Sequence, residues 1–283
     1  MISRQVGTDD SQASGVAGAH PKRWGILGVI AQIAFLAGWL AAETWQGPHY
    51  SVVTDTISDL QAATAPHAWF VIACFAVGGV GTFCFAVFGL RAALAGAGRT
   101  AVSGPWMLAL GGLAIGNSFP LIPCGLPTPG CTAHHQLYSP GGMTDAIVAT
   151  AAFLVLAFTP GPLWHRMQAL PQWRRLKPVM TAARIICPLC FILLGIASFT
   201  QTAEGLAERL LATSLSLWIG ALAVALICFS DRSSANRHTR RARYGMATPR
   251  MPPANCSKIW RSNFHWKPPS TGCSERRPPW SIT

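Results

Sequence analysis

Six apolar stretches dominate this chain and limit what it can become. They cover residues 24–42, 69–90, 106–121, 146–158, 179–199 and 210–229. A helix needs about 20 mostly apolar residues to cross a bilayer. Inside hydrocarbon every backbone N–H and C=O must be bonded within the segment, so these runs are predicted to be helices. The third is extended upstream by 101–105, and the fourth is short unless its helix begins near Met143. Only the fifth contains a charged residue, Arg184, close enough to one end for its long side chain to reach the interface. Charged residues make up 11% of the chain. An ordinary soluble domain carries about 25%, so too few charges exist to coat a water-soluble globule.

Basic residues set the expected orientation. The amino-terminal arm (1–23) holds Arg4, Lys22 and Arg23. The second loop holds Arg91 and Arg99, and the fourth holds Arg166, Arg174, Arg175 and Lys177. The first and third loops have no Lys or Arg, and the fifth has only Arg209. This alternation predicts an even number of crossings with both termini in the cytoplasm. Acids show the complementary pattern, with Glu43, Asp55, Asp59, Asp145, Glu204 and Glu208 at or beyond the outer ends. The arm is polar and contains Asp9 and Asp10, and no small-residue cleavage site follows the first apolar run. That run is expected to remain as an anchor.

The net charge of +12 lies mostly in the tail, because residues 232–283 hold 11 Lys and Arg against one acid, Glu275. The sequence therefore divides into the arm, a membrane domain at 24–230, and a basic Pro/Arg/Ser-rich tail at 231–283 expected to be disordered. The tail is a candidate for contact with anionic lipid. A nucleic-acid partner is not expected from a pI that mainly describes this tail.

Reactive side chains gather on the predicted outer side. The first outer loop, 43–69, carries Glu43, His49, Tyr50, Asp55, Ser58, Asp59 and His67. The third loop, 119–145, adds Cys124, Cys131, His134, His135, Tyr138 and Asp145. Imidazole and carboxylate groups on one side of a bundle suit a divalent metal or proton transfer. Asp59, His134, His135 and Asp145 are the candidate ligands or acid–base groups. Adjacent histidines point apart on a helix, so one would ligate while the other packs. Pro140-Gly141-Gly142 is expected to interrupt the path from His134 to Asp145. Ser58-Asp59 has the alternative reading of a helix cap. Cys124 and Cys131 would face an oxidising compartment, which favours a disulfide, with metal ligation or free thiols as alternatives. Cys187 and Cys190 flank Pro188 within an apolar helix and read as small apolar groups. No helix carries paired histidines at matching depth, which argues against haem. Arg209 at an outer helix end breaks the basic-inside bias and calls for a neutralising acid.

The run YSVVTDTISDLQA, the Phe119-Pro120 loop ending in His134-His135, and GLAERLLATSLSLW at 205–218 resemble the domain of unknown function 998 family. These are six-helix membrane proteins of bacteria and archaea, and the similarity covers about residues 24–230. The ISDL segment is its most specific part, although Gln61 stands where the family has glycine. Leu121 to Gly125 stands where the family often places an acid after Phe-Pro. The resemblance implies the six-helix fold and places Ser58, Asp59, His134 or His135, Glu208 and Arg209 at recurrent positions. It brings no established activity.

The combined expectation is an all-α, six-transmembrane-helix bundle in the plasma membrane with both termini cytoplasmic. It would lie among membrane lipids and bind a lipid-like or isoprenoid small molecule at its outward-facing polar cluster. The expected contacts are Tyr50, Ser58, Asp59, His135, Glu208 and Arg209. The alternative is an intramembrane enzyme, a metal-assisted hydrolase or cyclase, built on the outer His and Asp residues. A transporter is less favoured because no carboxylate lies at mid-membrane.

Overall fold

The computed structural model describes residues 21–97, 103–116 and 121–245, with side chains described up to residue 231. Among the described residues every regular element is helical. The main helices are α1 (Pro21–Ala42), α2 (Ala68–Cys84), α3 (Ser103–Ile115), α4 (Ala133–Leu137), α5 (Pro140–Phe158), α6 (Pro160–Met167), α7 (Lys177–Thr200) and α8 (Glu204–Gly245). Beyond α2 the chain widens into a π-helical stretch, Phe85–Leu90, before a last turn at Arg91–Ala93. The chain divides into two compact units, Met1–His238 and Thr239–Thr283, and the site described below lies in the first.

Five helical segments are long and apolar enough to cross a membrane: Pro21–Trp45, Ala68–Ala93, Pro140–Met167, Pro171–Thr200 and Glu204–Asp231. The chain thus has the helix set of a membrane protein. The third apolar stretch forms only the 13-residue α3. At about 1.5 Å per residue this falls short of a hydrocarbon core of about 30 Å. The expected helix to residue 121 stops early because Gly116, Asn117 and Ser118 are weak helix formers and Pro120 follows; residues 117–120 lie outside the described set. By helix length the count is five, with α3 as a shorter apolar helix.

The fourth span starts earlier than 146. Ser139 accepts a hydrogen bond from Gly142 N at 3.0 Å, and Pro140 occupies the first turn, where its missing N–H costs nothing. The path from His134 to Asp145 is interrupted as expected: α4 ends at Leu137, Pro140-Gly141-Gly142 forms the first turn of α5, and the two residues lie on different helices. At the carboxyl end, α8 continues through Gly245, into the segment expected to be unstructured from Asp231 onward. Residues 246–283, the rest of that expectation, lie outside the described set.

Small residues bring the first helices together. A Cβ on Gly81 would lie 2.7 Å from Ala31 Cβ, and one on Gly79 would lie 2.8 Å from the Gly112 carbonyl oxygen and closer still to Gly116. Such close approach is how helices gain dispersion contacts in lipid, where no hydrophobic drive joins them. One buried polar tie crosses the same seam, from Gln32 Nε2 to Thr82 Oγ1 at 2.8 Å. A large core joins Phe85, Leu108, Leu156, Leu163, Met180, Leu211 and Leu222. A second one packs Phe35, Trp39, Ile57, Leu60, Val71, Phe75 and Ala212. Ile57 and Leu60 belong to the loop after α1, so that loop is pinned into the bundle by its own apolar residues.

The outer circumference is apolar. Ile26, Ile30 and Ile33 are exposed on one face of α1, and Ile185, Leu189, Ile192, Ile196 and Phe199 on α7. Only 17% of the apolar window of α7 is buried inside the protein, against 39–56% for the other four spans. The α7 helix therefore stands at the periphery, which leaves room beside it.

Candidate functional site

The loop between α1 and α2 forms one side of a polar layer across the bundle end. Within it, Thr56 and Asp59 make a reciprocal cap. Thr56 N donates to Asp59 Oδ2 at 3.0 Å, while Asp59 N donates to Thr56 Oγ1 at 3.3 Å. The reciprocal bonds have the form of a capping box, set one residue ahead of Ile57, the residue that precedes the short helix Ser58–Gln61. Asp59 also reaches the other side of the layer. Its Oδ1 accepts from Leu126 N at 3.0 Å and from Gln136 Nε2 at 2.7 Å. Gln136 Nε2 donates as well to the Cys124 carbonyl at 3.1 Å. Cys124 and Cys131 are joined in a disulfide that closes this second loop, with Cα atoms 6.0 Å apart. Further ties run from Ala63 N to Ile122 O at 2.9 Å and from Gly125 N to Thr64 Oγ1 at 3.1 Å.

Arg209, on α8, holds the same loop from below. Nε donates to Glu43 Oε1 at 2.6 Å, and Nη1 donates to the carbonyls of Asp55 and Gly205, each at 2.8 Å. Nη2 donates to the Tyr50 hydroxyl. The guanidinium also lies 5.9 Å from the ring centroids of Trp39 and Tyr50. The acid that answers the buried Arg209 is thus Glu43, at the far end of α1, and not its sequence neighbour. Burial pushes the Tyr50 phenol far above its ordinary value despite the nearby guanidinium, so it stays neutral. Burial likewise raises the Asp55 carboxyl, against the Ser51 N–H that it accepts at 2.7 Å.

Beneath this layer lies a cavity of about 440 Å³. Phe153 and Ala149 of α5 and Phe191 and Leu194 of α7 form apolar wall. Ser58, Gln136, Asp145, Ser198, Glu204 and Glu208 supply its polar lining. Glu208 Oε2 accepts from Ile57 N at 2.6 Å. A small recess shared by Gln61, Asp145 and Glu208 adjoins Ser58 and Phe153. A separate space of about 250 Å³ lies among His49, Tyr50, Asp59, Thr64 and Thr128.

The candidate residues divide accordingly. Ser58, Asp145 and Glu208 line the large cavity. Tyr50, Asp59 and Arg209 are joined to the loops by the hydrogen bonds above. His134 and His135 are exposed on α4, and His134 stacks on Tyr138 with ring centroids 4.5 Å apart. Among the described residues no three His, Cys, Asp or Glu side chains come together as ligands for an ion. Both oxygens of Asp59 already accept from Thr56, Leu126 and Gln136. Asp59, His134, His135 and Asp145 therefore do not fit a divalent metal as one ligand set.

Residues 29–225 match the model of the family described as protein of unknown function (DUF998). The chain belongs to this family. No curated protein and no solved structure matches it. Two features of this DUF998 chain escaped the sequence reading: the roles of Thr56 and Gln136. The Thr-x-x-Asp spacing at 56–59 is a capping signature and carries the first. Gln136 meets Asp59 across 77 positions, a pairing with no local sequence signal.

Proposed function

We propose that this DUF998 chain holds a lipid-like or isoprenoid amphiphile in the cavity between α5 and α7. The observation that carries this reading is the cavity's two-part lining. Phe153, Phe191 and Leu194 offer an apolar wall, and Ser58, Asp145 and Glu208 offer polar groups. Its volume of about 440 Å³ falls in the usual range for small-molecule sites. Tyr50, Asp59 and Arg209 serve the site indirectly by fixing the loops that roof it. The apolar circumference and peripheral α7 support entry of the ligand sideways from membrane lipid.

The same proposal includes six crossings of the plasma membrane, α3 being the short one, with both termini in the cytoplasm. Two observations support it. The connections that carry Arg91 and Arg174, Arg175 and Lys177 meet, since a Cβ on Gly96 would lie 3.6 Å from Leu170 and Leu94 shares a core with Met167 and Trp173, and basic residues favour the cytoplasmic side. Lys22 at the start of α1 and Asp231 on α8 meet at 2.8 Å, as an even number of crossings requires.

A photoreactive benzoylphenylalanine at Phe153 tests the ligand reading. Irradiation in membranes is expected to give one dominant adduct mass. The same group at exposed Ile185 should give the mixture of the bulk lipid. Identical mixtures at both positions would overturn the reading.

A further inference from the structure

The polar lining of the large cavity is one-sided in charge. Asp145, Glu204 and Glu208 line it, and among the described residues no Lys, Arg or His does. Two of these acids have a donor already. Glu204 Oε1 accepts from Ser198 Oγ at 2.6 Å, and Glu208 Oε2 accepts from Ile57 N at 2.6 Å. Asp145 is only 7% exposed, and no described residue donates a hydrogen bond to it. In the adjoining recess, Gln61 Oε1 is buried and also lacks a donor. The nearby cation, Arg209, is held by Glu43, Tyr50 and two carbonyls. Buried polar atoms are paired as a rule, so the orphaned Gln61 Oε1 and, beside it, the Asp145 carboxyl that lines the cavity without a donor call for a ligand that brings donors.

Resting on the amphiphile reading above, we propose that the ligand is a cationic amphiphile. Its ammonium N–H groups donate to Asp145 and Gln61, and its chain lies along Phe153, Phe191 and Leu194. A charge-assisted hydrogen bond to a buried carboxylate is stronger than a neutral one and demands N–H groups. A quaternary ammonium has none, so it is a poor fit. Two sources share the required chemistry: a free long-chain amine and a lipid headgroup bearing a primary amine. The absence of a lining base to meet a phosphate favours the free amine.

Native mass spectrometry of the full chain from a neutral maltoside micelle, titrated separately with four probes, tests this. The probes are dodecylamine, dodecanol, dodecanoate and phosphatidylethanolamine. Dodecylamine is expected to bind one per chain, about tenfold or more tighter than dodecanol or dodecanoate. Asp145→Asn should erase that preference while leaving the ligand-free melting temperature near that of the parent. Phosphatidylethanolamine binding as tightly as dodecylamine would support the ammonium site and assign it to a headgroup. Dodecanol or dodecanoate binding as well as dodecylamine, or a preference that survives Asp145→Asn, would overturn the ammonium site alone. Absence of every probe would overturn the amphiphile reading with it. Should Asp145→Asn fail to accumulate, Gln61→Leu takes its place and is expected to weaken dodecylamine selectively; an unchanged preference there counts against the site.

Discussion

Arg209 and Glu43, 166 positions apart, form a buried ion pair with Nε 2.6 Å from Oε1. It joins the start of α8 to the end of α1, and through Asp55 O and Tyr50 it fixes the loop between α1 and α2. Removing one partner leaves the other charge buried. That costs about 3–5 kcal/mol in a fully buried pair, and less here because the Glu43 side chain is 16% exposed. Glu43→Gln and Arg209→Met should each lower the melting temperature in detergent markedly. The double variant should lose less than the sum, because neither charge is then stranded. Additive losses would show that the pair contributes little.

Asp59 joins two loops through Thr56, Leu126 and Gln136. Asp59→Ala leaves four donors without this acceptor, the Thr56 N–H and hydroxyl, the Leu126 N–H and the Gln136 amide, at about 1–3 kcal/mol for each one that stays buried. Limited proteolysis should then cut within 121–132 well before the parent is cut. Thr56→Ala should show a milder form of the same effect, since it loses the hydroxyl's bonds with Asp59 and Ser58 but leaves Asp59 tied to Leu126 and Gln136, a loss of about 1 kcal/mol.

At Gly79 the seam between α2 and α3 has no room for a side chain. Gly79→Val would push a branched group into Gly112 and Gly116, a form of overpacking that costs about 1–3 kcal/mol or more. Loss of monodisperse protein in size-exclusion chromatography is the expected readout. Gly161→Ala is the contrasting case. Nothing lies within 4 Å of an added Cβ there, and the helix should gain about 0.5–1 kcal/mol.

Burial holds the Asp55 carboxyl above its ordinary range. The native form then binds this proton more tightly than the unfolded chain. The resulting stability is fully present below the unfolded value of about 4 and is lost as pH rises through the higher native value. Asp55→Asn should remove this acid-side component. A thermal series from mildly acidic to neutral pH should be flatter for the variant than for the parent.

The helices were legible because apolar runs have one stable form in hydrocarbon. The limits of the third and fourth runs were less so. Helix α3 ends at weak formers inside an apolar run, and α5 recruits Pro140 as its first turn through the Ser139 cap. The site was only partly legible for a different reason. Sequence showed which groups lie at the loop end, but not which are already paired. Asp59 looked available and is fully engaged. Asp145 looked like one member of a ligand set with Asp59 and the histidines and is instead an acid left without a donor at the cavity wall. Glu208 stood beside Arg209 in sequence, yet the ion pair formed with Glu43 across the bundle. Such pairings depend on how helices turn against each other, and no local spacing encodes that.

The cavity between α5 and α7 is the centre of this account. Gly195 and Ala149 both line it, and an added Cβ at Gly195 meets nothing within 4 Å. The most direct measurement is the amount of amphiphile retained per chain after purification, compared between the parent and the filled variants Gly195→Phe and Ala149→Phe. The account predicts close to one bound molecule in the parent and little in either variant, with melting temperatures preserved. Equal retention in all three proteins would contradict it.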